Sequence, residues 1–132
     1  MIKAYKATIA IDFDGTITNF STFPEMGTVR HDMPEFLYKL RIAGYRLVLN
    51  TCRTGEYFKQ AVDCLKDNSL YSLFDWKYLK DSSHFGQYGK VLASFYVDDS
   101  ACIENFDCVD LTKLADAIDE RIQQKQLRCE LH

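Results

Sequence analysis

Residues 7–11, ATIAI, are short, β-branched and uncharged, and they run straight into Asp12-Phe-Asp-Gly-Thr16. A run of this kind reads as a buried strand that ends abruptly on turn chemistry at Asp14-Gly15. The pattern recurs downstream. Residues 45–49 (YRLVL) lead into Asn50-Thr51, and residues 94–97 (SFYV) lead into Asp98-Asp99. A third, short strand is expected at residues 75–78 (DWKY), making the 94–97 segment the fourth.

Between these strands lie helical patterns. Asp32-Met-Pro-Glu35 reads as a capping box with Pro34 in the first turn, and Gly44 stands where a C-cap belongs. After Thr54, the stripe Phe58, Ala61, Val62 and Leu65 predicts a second helix closing near Asn68. Asp110 is expected to cap a last helix with Leu111, Leu114, Ala115, Ile118 and Ile122 on one face. Residues 17–31 hold Pro24 and Gly27 without a period and read as a small flap. Alternating strands and helices predict an α/β fold, a Rossmann-like parallel sheet with helices on both faces.

The chain has 132 residues, enough for a single domain over 1–132, and no linker or repeat divides it. Its net charge of −3 carries no electrostatic footprint for nucleic acid or an anionic membrane. The apolar run near the N-terminus is too short for a signal-peptide core or a membrane span. Five cysteines without C-x-x-C or zinc spacing are expected as reduced thiols, which points to a cytoplasmic protein. Cys52 reads as a packing residue rather than a nucleophile, because no histidine is placed to activate it. His31, His84 and His132 read as surface or loop residues.

Ligand sites in parallel sheets lie beyond the carboxyl ends of the strands, and Asp12, Asn50-Thr51 and Asp98 all fall there. Asp12 and Asp14, at i and i+2 on extended backbone, project to one side, while Phe13 turns into the core. Gly15 lets the chain turn with its N–H groups exposed toward an anion, together with those of Thr16. Crowded carboxylates call for a cation, and a set of oxygen donors with Asp98 and Asp99 suits Mg²⁺. Thr51 supplies a hydroxyl and an N–H, and Lys90 a compact positive charge, for holding a phosphate while Asp12 attacks. Arg53 reaches either a substrate phosphate or carboxylate or a neighbouring acid, and the flap aromatics Phe20 and Phe23 are candidates for substrate contact.

These residues carry a resemblance. Ile9-Ala-Ile-Asp12-Phe-Asp14-Gly-Thr16 resembles the first motif of the haloacid dehalogenase superfamily. Leu47-Val-Leu-Asn-Thr51 is similar to its second motif, Lys90 to its third and Tyr96-Val-Asp98-Asp99 to its fourth, in the family's order. The resemblance implies a phosphatase with Asp12 as nucleophile and Asp14 as general acid/base. It also implies Mg²⁺ on Asp12, the Asp14 carbonyl and Asp98, with Asp99 adjacent, and a phosphate held by Thr51 and Lys90. The segments between motifs are too short for a cap domain, so the chain looks like a capless member. An open site would admit a phosphorylated small molecule, a nucleotide or an exposed polynucleotide end, and a second copy of the chain is one way to cover it. The rival of another class is a phosphate- or metal-binding regulatory module that keeps the fold without turnover.

Overall fold

The computed structural model describes residues 4–19, 21–80, 93–98 and 109–131. Strand β1 (Thr8–Asp12) is central in a parallel sheet of order β2-β1-β3, flanked by β2 (Arg46–Asn50) and β3 (Phe95–Val97). Helix α1 (Met33–Ile42) connects β1 to β2, α2 (Gly55–Asp67) follows β2, and α3 (Leu111–Leu131) ends the described chain. This is an α/β fold with an open, Rossmann-like sheet.

Alternation along the strands divides the core. Ile9, Ile11, Leu47 and Leu49 share one apolar cluster with side chains from α1, α2 and α3. Ala10 and Val48 point to the opposite face, where Tyr78 and Ala93 pack against them. Each helix is held to the sheet by a narrow apolar stripe: Met33, Phe36, Leu37 and Leu40 in α1, and Phe58, Ala61, Val62 and Leu65 in α2. In α3 the stripe is Leu111, Ala115, Ile118 and Ile122. No helix among the described residues is long and apolar enough to cross a membrane.

Most helix ends fall where the sequence puts them. Gly44 takes φ 102° just past α1. Its N–H bonds the Arg41 carbonyl at 3.0 Å and the Tyr45 N–H bonds that of Leu40 at 3.2 Å, closing the helix with a left-handed residue. Asn68 ends α2, and Asp110 Oδ1 accepts the Thr112 N–H at 3.0 Å to cap α3.

Two expectations are corrected. Residues 75–78 form no strand: Phe74 makes a single parallel bridge to Leu47, and Trp76–Tyr78 then wind into a 3₁₀ turn. The cause is local, since the Asp75 carboxylate accepts the Lys77 N–H at 3.1 Å and bends the backbone out of the extended state. Asp32 precedes α1 but does not cap it with its side chain. Its carboxylate is taken instead by buried Arg30, at 3.1 Å from Nε and 3.0 Å from Nη2. Arg30 Nη2 also donates to the Val109 carbonyl at 2.9 Å, tying the flap exit to the start of α3.

At its base the flap of residues 17–31 is a narrow antiparallel ribbon. Thr18 bridges Val29, and Asn19 N–H donates to the Thr28 carbonyl at 2.8 Å. Gly27 is required here, because a Cβ on it would stand 2.1 Å from the Asn19 carbonyl oxygen.

Candidate active site

In an open parallel sheet a crevice opens at the carboxyl edge where neighbouring strands are reached by connections running in opposite directions. Here that point lies between β1 and β3, because the chain leaves β1 toward β2 and returns on the other side. Ile11 pairs with Val97 and Asp12 with Asn50. Asp12 and Asp98 are therefore the next residues along two adjacent strands, about 5 Å apart at the backbone. Asn50 and Thr51, both buried, complete the edge on the β2 side.

Beyond β1 the chain winds through Phe13–Ile17. Asp14 keeps extended angles (φ −70°, ψ 125°) and Gly15 turns the chain with φ 76°. Phe13 is fully buried while Asp12 and Asp14 are half-buried, as their alternation requires. The Thr16 hydroxyl donates to Asp12 Oδ2 at 3.3 Å, so one residue of the turn orients the acid at the strand end. Thr51 Oγ1 accepts the Arg53 N–H at 3.1 Å, which shapes the step from β2 into α2.

The strongest contact at the site joins the two motifs. Arg53 donates from Nε to Asp14 Oδ2 and from Nη2 to Asp14 Oδ1, both at 2.7 Å, a two-pronged charged pair. The Arg53 side chain is 1% exposed and that of Asp14 34%. The same Nη2 reaches the flap carbonyls of Glu25 at 3.3 Å and Pro24 at 3.4 Å. Phe13 lies 5.8 Å and Phe23 5.2 Å from the guanidinium carbon, measured to their ring centres. Nη1 is buried and bonds nothing among the described residues. Of the two partners the sequence left open for Arg53, the neighbouring acid is the one the fold supplies.

Phe23 is exposed at the flap tip and meets Tyr57 edge-on, with ring centres 5.0 Å apart. Tyr57 is a site neighbour that motif and spacing do not single out. Its available signal is an exposed aromatic in the first turn of α2, one helical turn past Arg53. The flap carbonyls on Arg53 have no sequence signal, since any residue offers a carbonyl.

Lys90, Asp99 and Phe20, with His84, His132, Cys102 and Cys108, lie outside the described residues. His31 is on the surface as expected. Cys52 is exposed rather than packed: Thr51 and Arg53 turn inward, and the residue between them turns out. Burial pushes the half-buried Cys64 thiol up, away from a reactive thiolate, and the nearby Asp67 adds to the effect. Among the described residues no group of three or more His, Cys, Asp or Glu side chains converges on one point. Asp12 and Asp98 remain as carboxylates at the ends of adjacent strands.

An edge of this kind, acids at a sheet's switch point with a buried arginine behind them, defines the site of a small α/β protein. No known family model matches the chain, and no curated protein matches it. A solved structure does: the chain is similar to a conserved protein from Bacteroides thetaiotaomicron at 27% identity and a TM-score of 0.64. The match covers 87% of this chain and 91% of that one. Its description, a conserved protein, adds no activity.

Proposed function

We propose that the chain is a capless phosphatase resembling the haloacid dehalogenase superfamily, with Asp12 as nucleophile. The observation that carries the reading is the meeting of Asp12, Thr51 and Asp98 at the carboxyl edge of adjacent strands, beside a turn at Gly15. Neither composition nor helix packing requires two acids and a buried threonine at that place.

Asp12 attacks phosphorus in line, and the bond to the leaving oxygen breaks as the Asp12–phosphate bond forms. The Thr16 hydroxyl holds Asp12 in place. The Thr16 N–H, the Thr51 hydroxyl and Lys90 hold the phosphate oxygens; the Gly15 N–H, expected to join them, donates to Thr18 Oγ1 at 3.4 Å within the turn. Asp14 takes up a proton from solvent as it leaves Arg53, gives it to the leaving oxygen, and then removes one from the water that cleaves the acyl phosphate, returning Asp12 and inorganic phosphate.

Two strand-end carboxylates and one carbonyl fit Mg²⁺, which accepts few protein ligands and keeps its waters. Asp12, the Asp14 carbonyl and Asp98 would hold it, with Asp99 next in sequence. Bound there, it would supply positive charge to set against the carboxylates and the phosphate.

The test is trapping on Asp12. With p-nitrophenyl phosphate, whose leaving group departs with little protonation, Asp14→Asn should release a burst of about one product per site and accumulate phosphate on the peptide holding Asp12. Asp12→Asn should form none. A phosphoenzyme that persists in Asp12→Asn removes the nucleophile and the reading with it.

A further inference from the structure

Arg53 is an unusual neighbour for a carboxylate that has work to do on a substrate. Both Asp14 oxygens are engaged by the guanidinium at 2.7 Å, so Asp14 must leave that fork to reach a leaving group. The cation left behind is buried, and among the described residues Asp14 is its charged partner. One of its nitrogens, Nη1, already lacks a hydrogen-bond acceptor among the described residues. Aromatic rings lie near it, those of Phe13 and Phe23, and the Asp14 side of the fork is the one that faces solvent, since the Asp14 side chain is 34% exposed.

We propose that Arg53 is the specificity-determining residue of the site, an oxyanion receptor that reads a second anionic group on the leaving half of the substrate. When Asp14 turns to the leaving oxygen, a carboxylate or phosphate of the substrate takes its place on Nε and Nη2. A guanidinium fork matches such planar or multi-oxygen anions two bonds at a time, which an ammonium cannot. The inference rests on the phosphatase reading, and it names the substrate class: phosphomonoesters that carry a further oxyanion. Esters with neutral leaving groups strand the buried cation and react slowly.

Matched pairs test it, assayed with Mg²⁺. Glycerol 3-phosphate is compared with 3-phosphoglycerate, and 3-hydroxypropyl phosphate with propane-1,3-diol bisphosphate, so the two arms separate a carboxylate from a phosphate. The preferred charged member should exceed its neutral partner by roughly 10²–10³ in kcat/KM, the scale of one preorganised electrostatic contact. Arg53→Met should bring that ratio near one, and Arg53→Lys, which keeps charge without the fork, should restore only part of it. No preference in the wild type, or a preference that survives Arg53→Met, overturns the proposal.

If no phosphomonoester is turned over, the phosphatase reading falls by itself, and the receptor is tested by rescue. In Asp14→Ala the fork is vacant, so acetate or phosphate should raise the melting temperature above that in chloride of equal ionic strength. The double variant with Arg53→Met should not respond. Should Asp14→Ala fail to fold, the Arg53 Nε–H signal of the wild-type protein, followed by NMR as 3-phosphoglycerate is added, should shift as the anion takes the fork. An unresponsive melt, or an unmoved signal, overturns the proposal.

Discussion

Asp14→Asn removes the proposed acid/base and also the charged partner of Arg53, and its cost to the fold follows from the exposure of the two partners. Arg53 is 1% exposed and Asp14 34%, so the substitution strands a desolvated cation. Removing one partner of a buried pair costs about 3–5 kcal/mol. Water at the Asp14 position solvates the fork in part, which puts the expected loss at the lower end, about 3 kcal/mol. Arg53→Met is the milder change. It leaves a carboxylate that water already reaches, loses the long bonds to Pro24 and Glu25, and removes the orphaned Nη1, for a net loss of about 1 kcal/mol. The double variant takes the charge away with its partner and should lie close to Arg53→Met, a coupling of about 2.5–3 kcal/mol. For a chain of this length, each kcal/mol moves Tm by about 4 °C. Thermal melts should therefore place Asp14→Asn roughly 12 °C below wild type and the double variant at half that deficit or less, with urea titration as the check. An additive cycle, or an Asp14→Asn variant more stable than Arg53→Met, would refute the claim that Asp14 balances the buried arginine.

Three further outcomes are expected. Hydrolysis should stop in excess chelator and return with Mg²⁺ but not Ca²⁺, whose larger, looser shell misplaces the attacking oxygen; turnover in chelator counts against the metal. Thr51→Ala and Lys90→Ala should each lower kcat/KM, Lys90 by roughly 10²–10³ as the proposed countercharge, and a near-normal Lys90→Ala beside a crippled Lys77→Ala or Lys80→Ala would reassign that role. Gly27→Ala should destabilise the protein by about 1–3 kcal/mol, because its Cβ would collide with backbone at Asn19 rather than with a side chain that can swing away. Unchanged denaturation curves would show that the ribbon yields at no cost.

The parts of the fold legible in the sequence are those where one short-range rule acts alone. Strand β1 is plain because its apolar residues stop at Asp12, and the ends of α1 and α2 because Gly44 and Asn68 sit where helices close. Expectations fail where a side chain has two suitors. Asp32 has the residue type of a cap, yet buried Arg30 needs its carboxylate more than the exposed helix start does. Asp75 to Tyr78 has strand-forming residues, yet the Asp75 side chain bends the backbone after a single bridge. At the site, the positions of Asp12, Thr51 and Asp98 follow from strand ends and are readable. The partner of Arg53 is not, because pairing with Asp14 spans two strands and depends on which acid the sheet register brings within reach.

The flap is held very differently at its two ends. At its base, Arg30 is fastened to Asp32 and to the Val109 carbonyl by bonds of 2.9–3.1 Å, and Ile17 accepts the Arg30 N–H at 3.0 Å. At its tip the hydrogen bonds to Arg53 are the long ones from Nη2 to Pro24 and Glu25, at 3.4 and 3.3 Å, beside the contact of Phe23 with Tyr57. Bonds of that length are near the limit at which a hydrogen bond retains much of its strength. A rearrangement of Arg53 would thus release the tip while leaving the base in place. The residue that meets Asp14 is also the one that meets the flap, so an anion that takes the fork acts on both. One buried cation in this way links the fork at Asp14 to the flap that lies over it.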